Sequence, residues 1–403
     1  MNVGAPVNIQ FGLTRAANAA PVRPTAAILA AVPAEGPWYA DLFRPYLLRD
    51  MRQRSTACSI EHLRLYPAAP LHLLPGLGDP AGPTRVADTV SVLFAAGAPT
   101  VDLLLVRAAG AGPDDLHREP MRDQILAWLP DLSGAVLCLP DLGLGPARET
   151  WATTAFLARM LRDAYLTLCL DVPDGVRPGR LVEALSGADV ALCRWAGESA
   201  RIEGQSWRSA AAVVAGRLAG DLPEVGRSLC RRAIRLPPAR PSSGSRLAQL
   251  TPVDRVEAAE RTLDDEMLVH VDIDGPSQAA VILNEPSLRD PGGTWTLPAL
   301  YTAKQLRRAL VDAAQQHVFR AVNEQEAFSL AGGLATAMRP YIARGLLCGS
   351  NGEGVPEIQA AVLRNPAAPG LVATITGYLR PWMQRVDLRV QVEHGMQPAL
   401  LES

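Results

Sequence analysis

Four short apolar runs, each separated from the next by a stretch of helical character, constrain this chain more than any other feature. They lie at residues 100–107, 135–139, 165–171 and 188–195. Each is shorter than an ordinary helix and lacks a polar face, as expected of strands covered on both sides, although any single run could also be a buried helix. Helical patterns precede, separate and follow them at 86–96, 121–129, 149–163, 181–185 and 206–218; Phe156, Leu157, Met160 and Leu161 share one side of the third. Strands alternating with helices build βαβ units, so the fold class is α/β, a mostly parallel sheet with flanking helices.

The two ends carry a different pattern. From Val386 the chain reads Val-Asp-Leu-Arg-Val-Gln-Val-Glu, with Val386, Leu388, Val390 and Val392 alternating with polar residues. Strict period-two alternation predicts a half-buried strand. No internal partner is obvious for it, so it pairs either with its own sheet or with another molecule's. Val7, Ile9 and Phe11 repeat the pattern more weakly near the N-terminus. Two such ends suggest a building block.

Elsewhere, residues 26–32 read as a strand or short helix, and 38–51 as an amphipathic helix carrying Leu42, Tyr46, Leu47 and Met51. A Pro/Gly-rich stretch breaks the chain at 75–83, and Pro237 to Ser245 has the composition of a linker. Strands are expected at 267–273, 279–283, 358–363 and 371–378. A helix at 303–319 shows the stripe Leu306, Leu310, Ala313 and His317; a second, at 324–344, is interrupted by Gly332-Gly333 and Pro340 and ended by Gly345. The expected division is an N-terminal arm (1–25), a region without an assigned role (26–85), a body (86–236), a linker (237–250), a C-terminal domain (251–385) and a C-terminal arm (386–403).

Composition excludes several classes. With 403 residues, 48% of them apolar and 20% charged, the chain has material for two or three domains and a sizeable core. A net charge of −2 argues against a nucleic-acid partner held by phosphate contacts. Of 39 basic residues only Lys304 is a lysine, which reads as coding bias. The six cysteines form no Cys-x-x-Cys, so no disulfide framework is implied and a reducing cytoplasm is expected. No signal peptide and no membrane-spanning run is visible.

Catalytic signatures are equally scarce. There is no phosphate-binding Gly-x-x-x-x-Gly-Lys-Ser/Thr, and Gly143-Leu-Gly145 has Arg148 where a dinucleotide loop needs its third glycine. Gly197-Glu-Ser199 lacks the closing glycine of a nucleophile elbow, having Arg201 there. The six histidines make no zinc pattern, and Asp272 with Asp274 reads as solvated surface. No catalytic, cofactor-binding or metal-binding residue is assigned, and no cofactor is expected.

The C-terminal third does carry a recognisable pattern: Arg307 and Arg308 in a helix, Val318-Phe319 followed by Asn323, a second helix, then Gly345-Leu-Leu347-Cys-Gly349 before the last strands. This resembles contractile tail sheath subunits, which occur in phage tails, R-type bacteriocins and extracellular contractile injection systems. Upstream, Phe94-Ala-Ala-Gly97 before a strand and Leu168-Cys-Leu-Asp171-Val-Pro173 after a helix are similar to further family stretches, so the likeness runs over about residues 86–395. Two departures stand out. The family's Gly-x-Arg-Thr is replaced by Thr294-Trp295-Thr296, and the Phe-to-Asn spacing is one residue longer.

The resemblance implies a subtilase-like body, an α+β C-terminal sheath domain and extended terminal strands. It implies homo-hexameric rings stacked as a helical polymer around an inner tube protein, joined by arms here mapped to Val7, Ile9, Phe11, Val386, Leu388, Val390 and Val392. It further implies baseplate and cap proteins as partners, contraction as the activity, assembly in the cytoplasm and an extracellular or virion particle after lysis. It implies neither nucleic-acid binding nor membrane insertion. The competing expectations are a soluble α/β enzyme of unknown chemistry and a sheath-derived cap or baseplate adaptor.

Overall fold

The computed structural model describes residues 7–9, 26–33, 39–43, 50–54, 59–74, 86–108, 125, 136–139, 166–172, 182, 185, 190–195, 209–220, 229–230, 233–236, 267–274, 279–288, 296–350, 352–363, 370–380, 384–393 and 399–402. The chain divides into two compact units, one of residues 23–222 and 228–298, the other of residues 1–22, 223–227 and 299–403. Strand β1 (Val7–Ile9) belongs to the second, smaller unit.

The larger unit is built on a ten-stranded sheet. Its elements in chain order are β2 (Ala26–Pro33), α1 (Tyr39–Phe43), β3 (Asp50–Arg54), β4 (Ser59–Leu65), α2 (Val86–Ala96) and β5 (Val101–Ala108). There follow β6 (Val136–Cys138), β7 (Thr167–Asp171), β8 (Val190–Trp195), α3 (Ala210–Gly220), β9 (Ile234–Arg235), β10 (Val269–Asp274) and β11 (Ala279–Ile282). The order across the sheet is β3-β4-β5-β2-β6-β7-β8-β10-β11-β9. Neighbours from β5 to β10 are parallel, and antiparallel strands close both edges. The four apolar runs are β5 to β8, whose described side chains are buried except at the end of β8.

Residues 26–65, which sequence left without a role, supply β2 at the middle of this sheet and β3–β4 at its edge. Of the helix expected over 38–51 the described part is α1, and the chain is extended at Asp50. Strand β4 hides charge rather than showing it. Glu61, 0% exposed, accepts from Arg107 at 2.8 Å, and Arg64 grips Asp102 with two hydrogen bonds of 2.7 and 2.8 Å. Burial pushes the Asp102 carboxyl up, but the neighbouring His62 and Arg64 more than offset this and hold it below its ordinary value. Arg107 also lies over the Tyr39 ring at 5.6 Å.

Strands β10 and β11 join this sheet through β8, and Leu288 donates its N–H to the Val190 carbonyl. The last division between the units falls at Pro298–Ala299; the sequence places a linker at 237–250. That linker and the helices expected at 121–129, 149–163 and 181–185 lie outside the described residues, save for isolated positions.

In the larger unit α3 packs on β6, β7 and β8 and against α2. A Cβ at Gly216 would stand 2.6 Å from the Leu93 carbonyl oxygen, and one at Gly220 would stand 2.4 Å from the Gly97 oxygen. The helices approach this closely only because both positions lack a side chain.

The smaller unit takes up the chain in the first turn of α4 (Leu297–Gln315), where the sole lysine, Lys304, is buried. It continues through α5 (Glu324–Ala343), β12 (Leu347–Cys348), β13 (Glu357–Leu363), β14 (Gly370–Leu379), β15 (Gln384–Glu393) and β16 (Ala399–Glu402). Helix α5 runs unbroken through Gly332-Gly333 and Pro340, although the proline removes the N–H that would bond the Thr336 carbonyl. The sheet order is β1-β13-β14-β15-β16, with β12 also on β14. α5 packs on β12, β13 and β14. One face of the sheet is buried: Ile358, Ala360 and Val362, then Leu371, Ala373 and Ile375, then Leu388, Val390 and Val392. Gln359, Thr374 and Arg389 alternate with them and are exposed, the period-two signature of a half-covered antiparallel sheet.

Candidate inter-subunit surfaces

The strand expected at 386–393 forms as β15, but it is not a free arm. It pairs antiparallel with β14 over ten residues, from Gly370↔Glu393 to Leu379↔Gln384. On its other side β16 pairs with Leu388 to Gln391. Leu388, Val390 and Val392 are 1%, 0% and 2% exposed, so the alternation signals a strand inside this chain's own sheet. Val386 lies in β15 opposite Gly377, with its side chain outside the description. The sheet's edges are instead the chain's own ends. β1 covers part of β13 in the register Val7↔Ala360, Asn8↔Gln359, Ile9↔Ile358, and β16 covers part of β15. Phe11 lies outside the described residues.

The residues of the sheath-like pattern come together as one helix–turn–helix–strand unit. Arg308 stands 3.7 Å from Asp312 one helical turn on, an exposed pair of little energetic weight, and Arg307 is half-buried on the same helix. Val318 is buried while Phe319 is 79% exposed; Phe328, in α5, is 57% exposed. The Asn323 side chain caps α5, accepting from the Glu326 N–H at 2.8 Å. Glu326 in turn meets His317 Nδ1 at 2.5 Å and Arg320 at 3.3 Å, fastening the turn to the helix start.

Gly345, with φ of 68°, ends α5. Its N–H bonds the Ile342 carbonyl and that of Leu346 the Tyr341 carbonyl, the paired bonds of a left-handed helix stop. Leu347 is buried in β12. Gly349 is fixed by close approach, since a Cβ there would lie 2.4 Å from the Glu353 oxygen and 2.7 Å from that of Val355. These residues build the unit. The sequence pattern did not find its exposed Phe328, because on a helical wheel an aromatic residue reads as core.

Among its described residues the larger unit holds a chemically distinctive cluster at the carboxyl ends of β6, β7 and β8. Asp171 accepts from Ser209 Oγ at 2.5 Å and from the Ala211 N–H at 3.0 Å, while Ser209 Oγ accepts from the Ala212 N–H at 2.9 Å. Burial pushes the Asp171 carboxyl up to about 7, against the opposing pull of these donors. Cys138 lies 3.9 Å from Ser209, and burial likewise raises the thiol of Cys193. Both Asp171 and Ser209 are buried, and their partners are the first N–H groups of α3, so together they cap that helix. Among the described residues no group of three or more His, Cys, Asp or Glu is placed to hold a metal, and no helix is long and apolar enough to cross a membrane.

No protein-family model matches the sequence, and no curated protein does. Solved structures do match in fold. The chain superposes on the anti-feeding prophage (AFP) helical sheath in its contracted state with a TM-score of 0.50 and 15% identity, covering 98% of this chain and 96% of that one. It is similar to the PVC sheath complex of an extracellular contractile injection system, also contracted, with a TM-score of 0.47, 12% identity and coverages of 91% and 89%. It is similar as well to a chain of the AFP baseplate, with a TM-score of 0.47, 15% identity and coverages of 85% and 86%. At these identities the likeness is one of fold: the chain has the α/β fold of a contractile injection-system sheath protein, end to end.

Proposed function

We propose that this chain is a structural subunit of a contractile tail sheath. Its copies polymerise as stacked hexameric rings around an inner tube, and contraction of the sheath drives that tube through a target envelope. The observation that carries the proposal is the fold shared with the AFP helical sheath over nearly the whole of both chains. Two features of the chain support it. Its smaller sheet has terminal strands at both edges, where a strand from another copy adds by main-chain hydrogen bonds. The buried acid–hydroxyl pair Asp171–Ser209 is spent on capping a helix. An inner tube protein, a baseplate and a cap are the partners this role requires. Assembly takes place in the cytoplasm, with release of the particle by lysis. The energy for contraction is then stored in a metastable extended polymer, not supplied by a nucleotide.

Sedimentation velocity across a concentration series tests the role. Growth from a slow species to large polymers as concentration rises, with or without the tube protein as template, is the expected result. A single small oligomer at every concentration and with every template overturns it.

A further inference from the structure

Helix α3 packs on β2, β6, β7, β8 and β10. Residues paired across neighbouring strands share a face, and the pairs Ile28↔Cys138, Cys138↔Cys169, Asp171↔Cys193 and Cys193↔Val269 carry one face across all five strands. α3 covers that face, because Asp171 and Cys138 on it meet Ser209 and the Ala211 N–H. Read at period two along the five strands, the face holds apolar residues, Thr167, the thiols Cys138, Cys169 and Cys193, and Asp171. Asp171 is its one carboxyl, and no basic residue shares it. Of the helices at hand, α2 carries Asp88 as its charged residue, and α3 carries Arg217, about 10 Å along the axis from Ala210.

The hydrogen bonds around Asp171 run in either direction. With the carboxyl ionised, Ser209 Oγ and the Ala211 N–H donate to it. With the carboxyl protonated, its own O–H donates to Ser209 Oγ, and the serine hydroxyl turns toward Cys138 Sγ at 3.9 Å. Burial favours the protonated form up to about pH 7. Above that, a charge lies buried on a face that offers it no counter-ion. The two ends of α3 are held by different means. Gly216 and Gly220 stand against Leu93 and Gly97 with no room for a Cβ, a contact without titrating groups. The first turn is held through Asp171 and through Ser209 Oγ, which accepts from the Ala212 N–H at 2.9 Å.

We infer that the first turn of α3 is a proton-held latch: it is docked while Asp171 is neutral and lifts to admit water once Asp171 ionises, uncovering Cys138, Cys169 and Cys193. The C-terminal half of α3 stays on α2 throughout. The latch does not depend on the sheath role.

Alkylation of the thiols by iodoacetamide, mapped by mass spectrometry and normalised at each pH to the urea-unfolded chain, tests it. Relative to that reference, Cys138, Cys169 and Cys193 should react roughly 100-fold faster at pH 8 than at pH 5. Cys230, half-buried elsewhere, should change little. Asp171→Asn cannot ionise and should hold the three thiols at the slow acid rate at both pH values. Ser209→Ala removes a donor that favours the carboxylate, so its rise in reactivity should come at higher pH than in the unsubstituted chain. That shift decides the matter if the Asp171→Asn chain does not fold. Hydrogen exchange at amides 210–212, corrected for its intrinsic pH dependence, should rise over the same interval while amides 216–220 stay protected. Thiols equally protected at both pH values, or a rise unchanged in Asp171→Asn and Ser209→Ala, overturns the inference. So does exchange that rises alike along the whole of α3, which is unfolding of the unit and not release of one turn.

Discussion

Asn323 and Gly345 bracket α5, and each does one identifiable job. Asn323→Ala removes the side-chain acceptor of the Glu326 N–H and should cost about 1 kcal/mol, read from urea unfolding of the smaller unit. Two glycines nearby separate by sign. A Cβ at Gly349 meets carbonyl oxygens at 2.4 and 2.7 Å, so Gly349→Ala should destabilise by about 1–3 kcal/mol. A Cβ at Gly332 meets nothing within 4 Å, so Gly332→Ala should stabilise the helix by up to about 1 kcal/mol. Equal effects at the two positions would contradict this account. The helix start and stop were legible, because Asn and Gly act there through local backbone geometry. The reason for Gly349 was not: it depends on where residues 353 and 355 return in space. The pairing of Glu61 with Arg107 was hidden for the same cause, since the partners are 46 residues apart.

Among elements, α3 responds to pH through Asp171. Its carboxyl binds protons up to about pH 7 in the folded chain, against 3.8 ordinarily. Between those values the folded state holds one more proton than the unfolded state. The stabilisation is therefore complete below about pH 4 and is lost as pH rises through 7. The larger unit should be more stable at pH 5 than at pH 8 by on the order of 2–3 kcal/mol, and Asp171→Asn should flatten that dependence in thermal melts. A wild-type melt independent of pH would refute the assignment.

Strand β15 gives a second element-scale prediction. With Leu388 and Val390 buried, Leu388→Asp together with Val390→Asp should unfold the smaller unit, seen as rapid proteolysis of residues 299–403. A free arm would instead leave that unit folded. The alternation that announced β15 was legible, and so were β5 to β8. Its partners were not, because period two specifies a covered face without saying whose sheet covers it. β2 could be read only as a strand or short helix, for lack of β-branched signal in its Ala-rich run, and β4 escaped because its charges are paired out of sight.

At the scale of the whole molecule, sequence and fold meet in one place. The likeness read over about residues 86–395 extends in three dimensions over 98% of the chain. The proposed role stands on the polymer itself. The most direct measurement is negative-stain electron microscopy of the full-length chain beside the chain lacking residues 1–12. Tubes or stacked rings from the full chain, lost or misassembled on deletion, are the predicted result. Uniform small particles from the full chain, unchanged by deletion and by an added tube protein, would contradict it.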